Sequence, residues 1–186
     1  MKKLKILICS ICAGCLLPLS SLQAQNISVR GGIYDFTDMT ASEVYRIAPT
    51  VQAGLPLWKR NQLCMEALPG FSFKSKRYNE HHHYLYMFPV MFSLNYSATN
   101  SDAKVYPVFS AGATLLGKAD HNVFMEKTIY AFTYGFNAGS GIRILCKNNN
   151  LISFTLSYNL LIPPVMEKIN PSGVMIMLGY HFKNKE

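Results

Sequence analysis

The densest group of potential ligands in the sequence is "NEHHHYLY", where Glu80 precedes three adjacent imidazoles, His81, His82 and His83. Imidazole nitrogens and carboxylates are the donors of zinc-type sites, and His121 with Glu126 would be further candidates. The spacing limits this reading. Side chains alternate along an extended chain, so His81 and His83 point one way and His82 the other, and at most two ligate together without a turn. A polar loop is the favoured reading of the run. A metal site of His81, His83 and His121 is the weaker alternative, and no cofactor is expected.

Hydrolytic chemistry is the second possibility. It needs a serine nucleophile with a histidine base within hydrogen-bond reach, and His181 is the one histidine that falls within a strand of the pattern described below. No triad logic is visible, and an enzyme is not expected. The third constellation is ionic. Arg30, Glu66 and Arg143, with Arg46 beside them, fall on a face otherwise made of small residues, so their role depends on what that face meets.

The elements that position these residues follow from length and periodicity. At 186 residues the chain suits one domain. It opens "MKKLKILICSICAGCLLPLSSLQAQ", with three lysines, an apolar stretch and a small residue, Ala24, before Gln25. This pattern reads as a secretory signal peptide over 1–24, leaving 25–186 as the mature domain. "CAGC" at 12–15 resembles a lipobox with Cys15 as the lipidated residue, a secondary reading because the apolar "LLPL" after it is a poor start for a mature chain.

The remaining cysteines, Cys64 and Cys146, are too few for a disulfide-stapled fold. The formal charge of +8 falls to about +5 without Lys2, Lys3 and Lys5. Because the longest basic block is "KSKR", a nucleic-acid partner is not expected, whereas an anionic membrane surface fits scattered positive charge.

Eight segments of the mature chain alternate at period two, near 27–36, 45–57, 62–73, 84–96, 104–116, 129–145, 151–161 and 173–182. One face is almost uncharged and apolar, as in Tyr86, Phe88, Val90, Phe92 and Leu94. The other is small and polar, as in Thr133, Gly135, Asn137, Gly139 and Gly141. A water-facing surface carries far more Lys and Glu, and the lumen of a narrow barrel admits mainly small side chains and a few paired charges. The small face is therefore read as an interior. On it Glu66 is flanked by Arg30 and Arg143, a structural network filling the lumen rather than an ion path.

Two further patterns agree with a barrel that turns its apolar face to lipid. Aromatics gather near strand ends, with Phe36, Tyr45, Phe73, Tyr84 and Tyr130 towards one rim and Trp58, Tyr96, Tyr180 and Phe182 towards the other. Joins near 58–61, 97–103 and 146–150 are shorter than those near 37–44, 74–83, 117–128 and 162–172, the order expected of periplasmic turns and external loops. The expected fold is an all-β, eight-stranded antiparallel transmembrane up-and-down barrel with a side-chain-filled interior. Closing the eighth strand on the first pairs every backbone group in lipid.

These segments, with a last strand "VMIMLGYHF" ending at Phe182, resemble the small outer-membrane β-barrel families of the OmpX and OmpA-transmembrane type. The resemblance implies a porin-family-like outer-membrane location and a structural or surface-interaction role. It also implies that the barrel-assembly machinery recognises the aromatic-ended last strand, here followed by "KNKE". The stretch "ISVRGGIYDF" is similar to exported barrel-like proteins of conjugative elements of the TraO type. The expected partners are outer-membrane lipid and lipopolysaccharide, met by Lys74, Lys76, Arg77, Lys118 and Lys127 in the external loops, and the barrel is expected to be monomeric. The rivals are a soluble lipocalin-like binding barrel, with the apolar face lining a cavity, and a lipid-modifying barrel enzyme.

Overall fold

The computed structural model describes residues 27–38, 41–42, 45–78, 81–98, 103–122, 127–146, 150–162 and 170–182. The expected signal peptide over 1–24 and the lipobox reading at Cys15 lie outside the described residues, as do Glu80, Glu126 and the "KNKE" tail. Eight strands follow in chain order: β1 (Ser28–Phe36), β2 (Ile47–Arg60), β3 (Leu63–Tyr78), β4 (His81–Ser97), β5 (Val105–Asn122), β6 (Lys127–Leu145), β7 (Leu151–Ile162) and β8 (Gly173–His181). Each pairs antiparallel with its sequence neighbour. β1 and β8 close the barrel, in a register running from Ser28 opposite His181 to Phe36 opposite Gly173.

Alternation sets the two faces. In β8 Met175, Met177 and His181 are buried while Leu178 and Tyr180 are exposed, with Gly179 inside between them. In β6 Thr133, Asn137 and Arg143 are buried while Phe132, Tyr134 and Phe136 stand outside. Small residues on the inner face let neighbouring backbones approach. A Cβ on Gly112 would run into the carbonyl oxygen of Phe92, and one on Gly135 into that of Leu160, the close passage that strand glycines permit.

One irregularity re-aims a side chain. Between Pro56 and Trp58 the β2–β3 register shifts, so Pro56 stands opposite Glu66 and Trp58 opposite Met65, with Leu57 as the extra residue. Strict alternation from Gln52 and Gly54 would turn Trp58 inward. The bulge leaves both Leu57 and Trp58 exposed. β2 then returns through the two-residue turn Asn61–Gln62, with Asn61 at φ 52°, a left-handed conformation that Asn tolerates better than most residues.

The base of the barrel is the end holding Ile27, Phe182 and the turns after β2, β4 and β6; the top holds the other four connections. The strands are unequal in height. β1 and β8 have 9 residues each, while β3, β4, β5 and β6 have 16, 17, 18 and 19. About 9–11 residues cross a bilayer's apolar layer, so the four middle strands rise as a wall above their neighbours. β2 pairs with β3 only up to Ser72, and β7 with β6 only up to Tyr134. Two of the expected long loops are thereby corrected: most of 74–83 and 117–128 is strand, and the joins are residues 79–80 and 123–126.

Inside, the upper lumen is filled by Tyr34, Phe36, Ala41, Tyr45, Leu85, Met87, Leu116, Leu161 and Met175. Phe36 and Tyr45, expected among the rim aromatics, are corrected by this packing. Phe36 meets Tyr34 edge-on at 5.1 Å and Tyr45 at 6.2 Å. Tyr45 is brought inward by the β1–β2 connection. There the Asp38 carboxylate accepts a hydrogen bond from the Ala41 N–H (3.0 Å), capping a single helical turn.

Candidate functional site

The ionic residues meet at the base. β1 carries Arg30, β3 Glu66 and β6 Arg143, each on an inward position of its strand. Arg30 Nη2 donates to Glu66 Oε2 at 2.5 Å, and Arg143 Nη2 donates to Oε1 at 3.5 Å. Asn95 Nδ2 adds a third donor to Oε2 at 3.2 Å. The carboxylate thus receives hydrogen bonds on both oxygens, as a buried charge requires. Arg46 is not part of this group. It is exposed, it precedes β2, and its φ of 49° breaks the alternation that would have carried it inward.

Above this cluster the lumen changes to neutral hydrogen bonds. Asn137 Nδ2 donates to Thr114 Oγ1 at 3.1 Å, and that hydroxyl donates to Asn159 Oδ1 at 3.0 Å. Thr50 and Ser72 share a bond of 2.7 Å. At the top Tyr34 donates its hydroxyl to the Pro171 carbonyl at 2.6 Å. Ser172 accepts from the Leu161 N–H at 2.8 Å, tying the approach to β8 to the end of β7. The Tyr45 hydroxyl, in the β1–β2 connection, is held well above the usual phenol range by burial first and by the Asp120 carboxylate second. Two cavities lined by described lumen residues measure about 20 and 10 Å³, each of the order of one or two waters.

One pair that sequence reasoning missed has the geometry of nucleophile and base. His181 Nε2 lies 2.9 Å from Ser153 Oγ, because β7 and β8 align Leu151 with His181 and Ser153 with Gly179. Both residues share the inner face, a relation legible only once the register is known. Ser153 is 1% exposed and His181 4%, so the pair is buried among packed side chains. It joins two strands.

Two of the expected metal ligands, His83 and His121, lie on opposite faces of the wall. His83 occupies an inward position, two residues before the buried Leu85, whereas His121 faces outward. There it lies 2.8 Å from Thr128 Oγ1 and stacks on Tyr84 at 6.3 Å. His81 begins β4 opposite Tyr78, and its side chain lies outside the described residues. Among the described residues no three His, Cys, Asp or Glu side chains form a metal-binding group. Cys64 is buried at the base and Cys146 sits just past β6, both free.

Of the five cations expected to meet lipopolysaccharide, Arg77 is exposed on the outer face. Lys118 is a correction: it is 8% exposed and points inward, two residues on from the buried Leu116. Lys74 and Lys76 share the inner face of Ser72 and are half-buried, and the side chain of Lys127 lies outside the described residues. The reason is common to all. These positions belong to strands, and strands keep alternating above the lipid band. Of the aromatics expected at the membrane interface, Trp58, Tyr96, Tyr130, Tyr180 and Phe182 are exposed on the outside and Tyr84 is half-buried. Tyr180 and Phe182 meet edge-on at 4.8 Å.

No protein-family model matches the sequence, and no curated protein matches it. Solved structures do. Neisserial surface protein A is 14% identical, covering 86% of this chain and 95% of its own, with a TM-score of 0.58. The outer membrane protein OprG of Pseudomonas aeruginosa is 13% identical, covering 87% and 97%, with a TM-score of 0.60. The N-terminal β-barrel domain of OprF from the same organism is 13% identical, covering 86% and 98%, with a TM-score of 0.56. The fold of this chain is that of the small eight-stranded outer-membrane β-barrels.

Proposed function

We propose that this barrel is an integral outer-membrane protein, exported by its N-terminal segment and inserted by the barrel-assembly machinery, with a structural or surface-interaction role and no general pore. The observation that carries the reading is the inversion of the two faces. Phe132, Phe136 and Leu178 are 64%, 66% and 61% exposed, while Glu66 is 4% exposed inside. A water-soluble barrel would lose free energy on both counts, because apolar area stays wet and charge is desolvated. In lipid the outer face is in its proper solvent.

The same inversion argues against the lipocalin-like alternative, which needs its apolar face around an internal cavity. A rigid scaffold of this kind acts through what it displays at its top. Arg77, on the outer face of the β3–β6 wall, supports contact with lipopolysaccharide phosphates through charge-assisted hydrogen bonds. The burial of the Ser153–His181 pair and the water-sized cavities among the described lumen residues support a scaffold role without a general pore. The test is fractionation of expressing cells followed by unboiled and boiled gel electrophoresis. The expected outcome is a band in the outer-membrane fraction whose mobility shifts on heating. Material that remains folded and monodisperse in detergent-free buffer would end the membrane reading.

A further inference from the structure

The base of the lumen is unbalanced in charge. Its described ionic residues buried together are Arg30, Arg143 and Glu66, two cations and one anion. Glu66 engages one Nη2 of each guanidinium, and the Nε of both arginines has no hydrogen-bond partner. The side chain of Arg30 is 7% exposed and that of Arg143 10%, so each unpartnered donor belongs to a side chain at least nine-tenths buried. Both line the larger cavity, of about 20 Å³, together with Ser93, Asn95, Ser110 and Ser157. Hydroxyls, amides and guanidinium groups all donate hydrogen bonds. The thioethers and aliphatic carbons of Met91, Met175, Met177 and Leu68 border it as well.

Water would fill that volume and accept from the two Nε groups, but it would leave the excess positive charge uncompensated in a poorly solvated tube. We infer that the cavity between Arg30 and Arg143 is a binding site for a small monovalent anion of about chloride's size, which completes the ionic cluster around Glu66. The volume suits one such ion. The ligand's charge is set by the cluster: one added negative charge brings the two arginines and the carboxylate to neutrality. Occupancy is thereby tied to folding, since the unfolded chain does not hold the two guanidinium groups together.

The test uses the refolded full barrel with bromide in place of chloride. Crystals grown in bromide are expected to show one anomalous peak within hydrogen-bonding distance of Arg30 and Arg143. Arg143→Met, which balances the cluster one to one, is expected to lose it. In solution, at constant ionic strength, replacing gluconate by chloride should lower the unfolding constant in urea by the factor one plus the ratio of anion concentration to Kd, about tenfold near nine times Kd. A cavity that holds water with no anomalous signal overturns the proposal, and so does equal unfolding of the wild-type barrel in chloride and gluconate. Both readouts are made on the wild-type chain, so the outcome stands even if Arg143→Met fails to fold.

Discussion

The base and the top of the lumen fill the same narrow tube by opposite means. At the base, Arg30, Glu66, Arg143, Asn95, Ser153 and His181 fill it with charge and hydrogen bonds. At the top, Tyr34, Phe36, Tyr45, Met87, Leu116 and Met175 fill it with apolar volume. The difference teaches where each half is vulnerable. A polar plug fails when one partner is lost, because the others stay buried and unsatisfied. An apolar plug fails when volume is lost, because the wall cannot collapse into the gap.

The largest effect is therefore expected from Glu66→Leu, which strands two buried guanidinium groups and should cost about 3–5 kcal/mol in urea unfolding of the lipid-reconstituted barrel. Its control is the fully apolar combination of Glu66→Leu with Arg30→Met and Arg143→Met, expected to be close to wild type or more stable. If the single and the triple variants were equally destabilised, the base would be held by shape rather than by pairing, and the contrast with the top would dissolve.

Next comes Phe36→Ala, which opens a cavity in the aromatic plug and should cost about 3 kcal/mol by the same measurement, with no change in its response to chloride. The smallest is Tyr34→Phe. It keeps the plug's volume and removes only the hydroxyl bonded to the Pro171 carbonyl, so about 1 kcal/mol is expected. A Tyr34→Phe loss as large as that of Phe36→Ala would show that the top, too, depends on a single polar contact.

Much of the barrel was legible because lipid on one side and a tight lumen on the other force period-two alternation. Arg30, Glu66 and Arg143 could be placed on a common face before any coordinates. What escaped had a physical cause in each case. Arg46 has the parity of a lumen residue, but its left-handed backbone lies before the strand begins and resets the count. The bulge at Leu57, which lets Trp58 stand outside against its inward parity, left no sign in the alternation.

Phe36 and Tyr45 sit where interface aromatics sit, yet the short β1 ends under a connection that folds over the lumen, so they pack inward. The tops of β3–β6 were read as loops because their polar content resembles loop composition. Above the lipid band neither face must be apolar, and a strand there carries Lys74, Lys76, His83 and Lys118 without an alternating signal. The Ser153–His181 contact depends on the register of β7 against β8, which pairwise alternation does not specify.

The seam between β1 and β8 joins positions from opposite ends of the described chain, with Ser28 set against His181. Loop-closure entropy opposes such a pairing, and topologies dominated by distant contacts fold slowly. The hairpins β1–β2 through β7–β8 are local and can form in chain order, while the second edge of β1 must wait for the last strand to be available. Until then both edges of the sheet are open to pairing with other chains. The final strand is thus what ends this exposure, and a chain truncated before Gly173 has no way to stop being an open sheet.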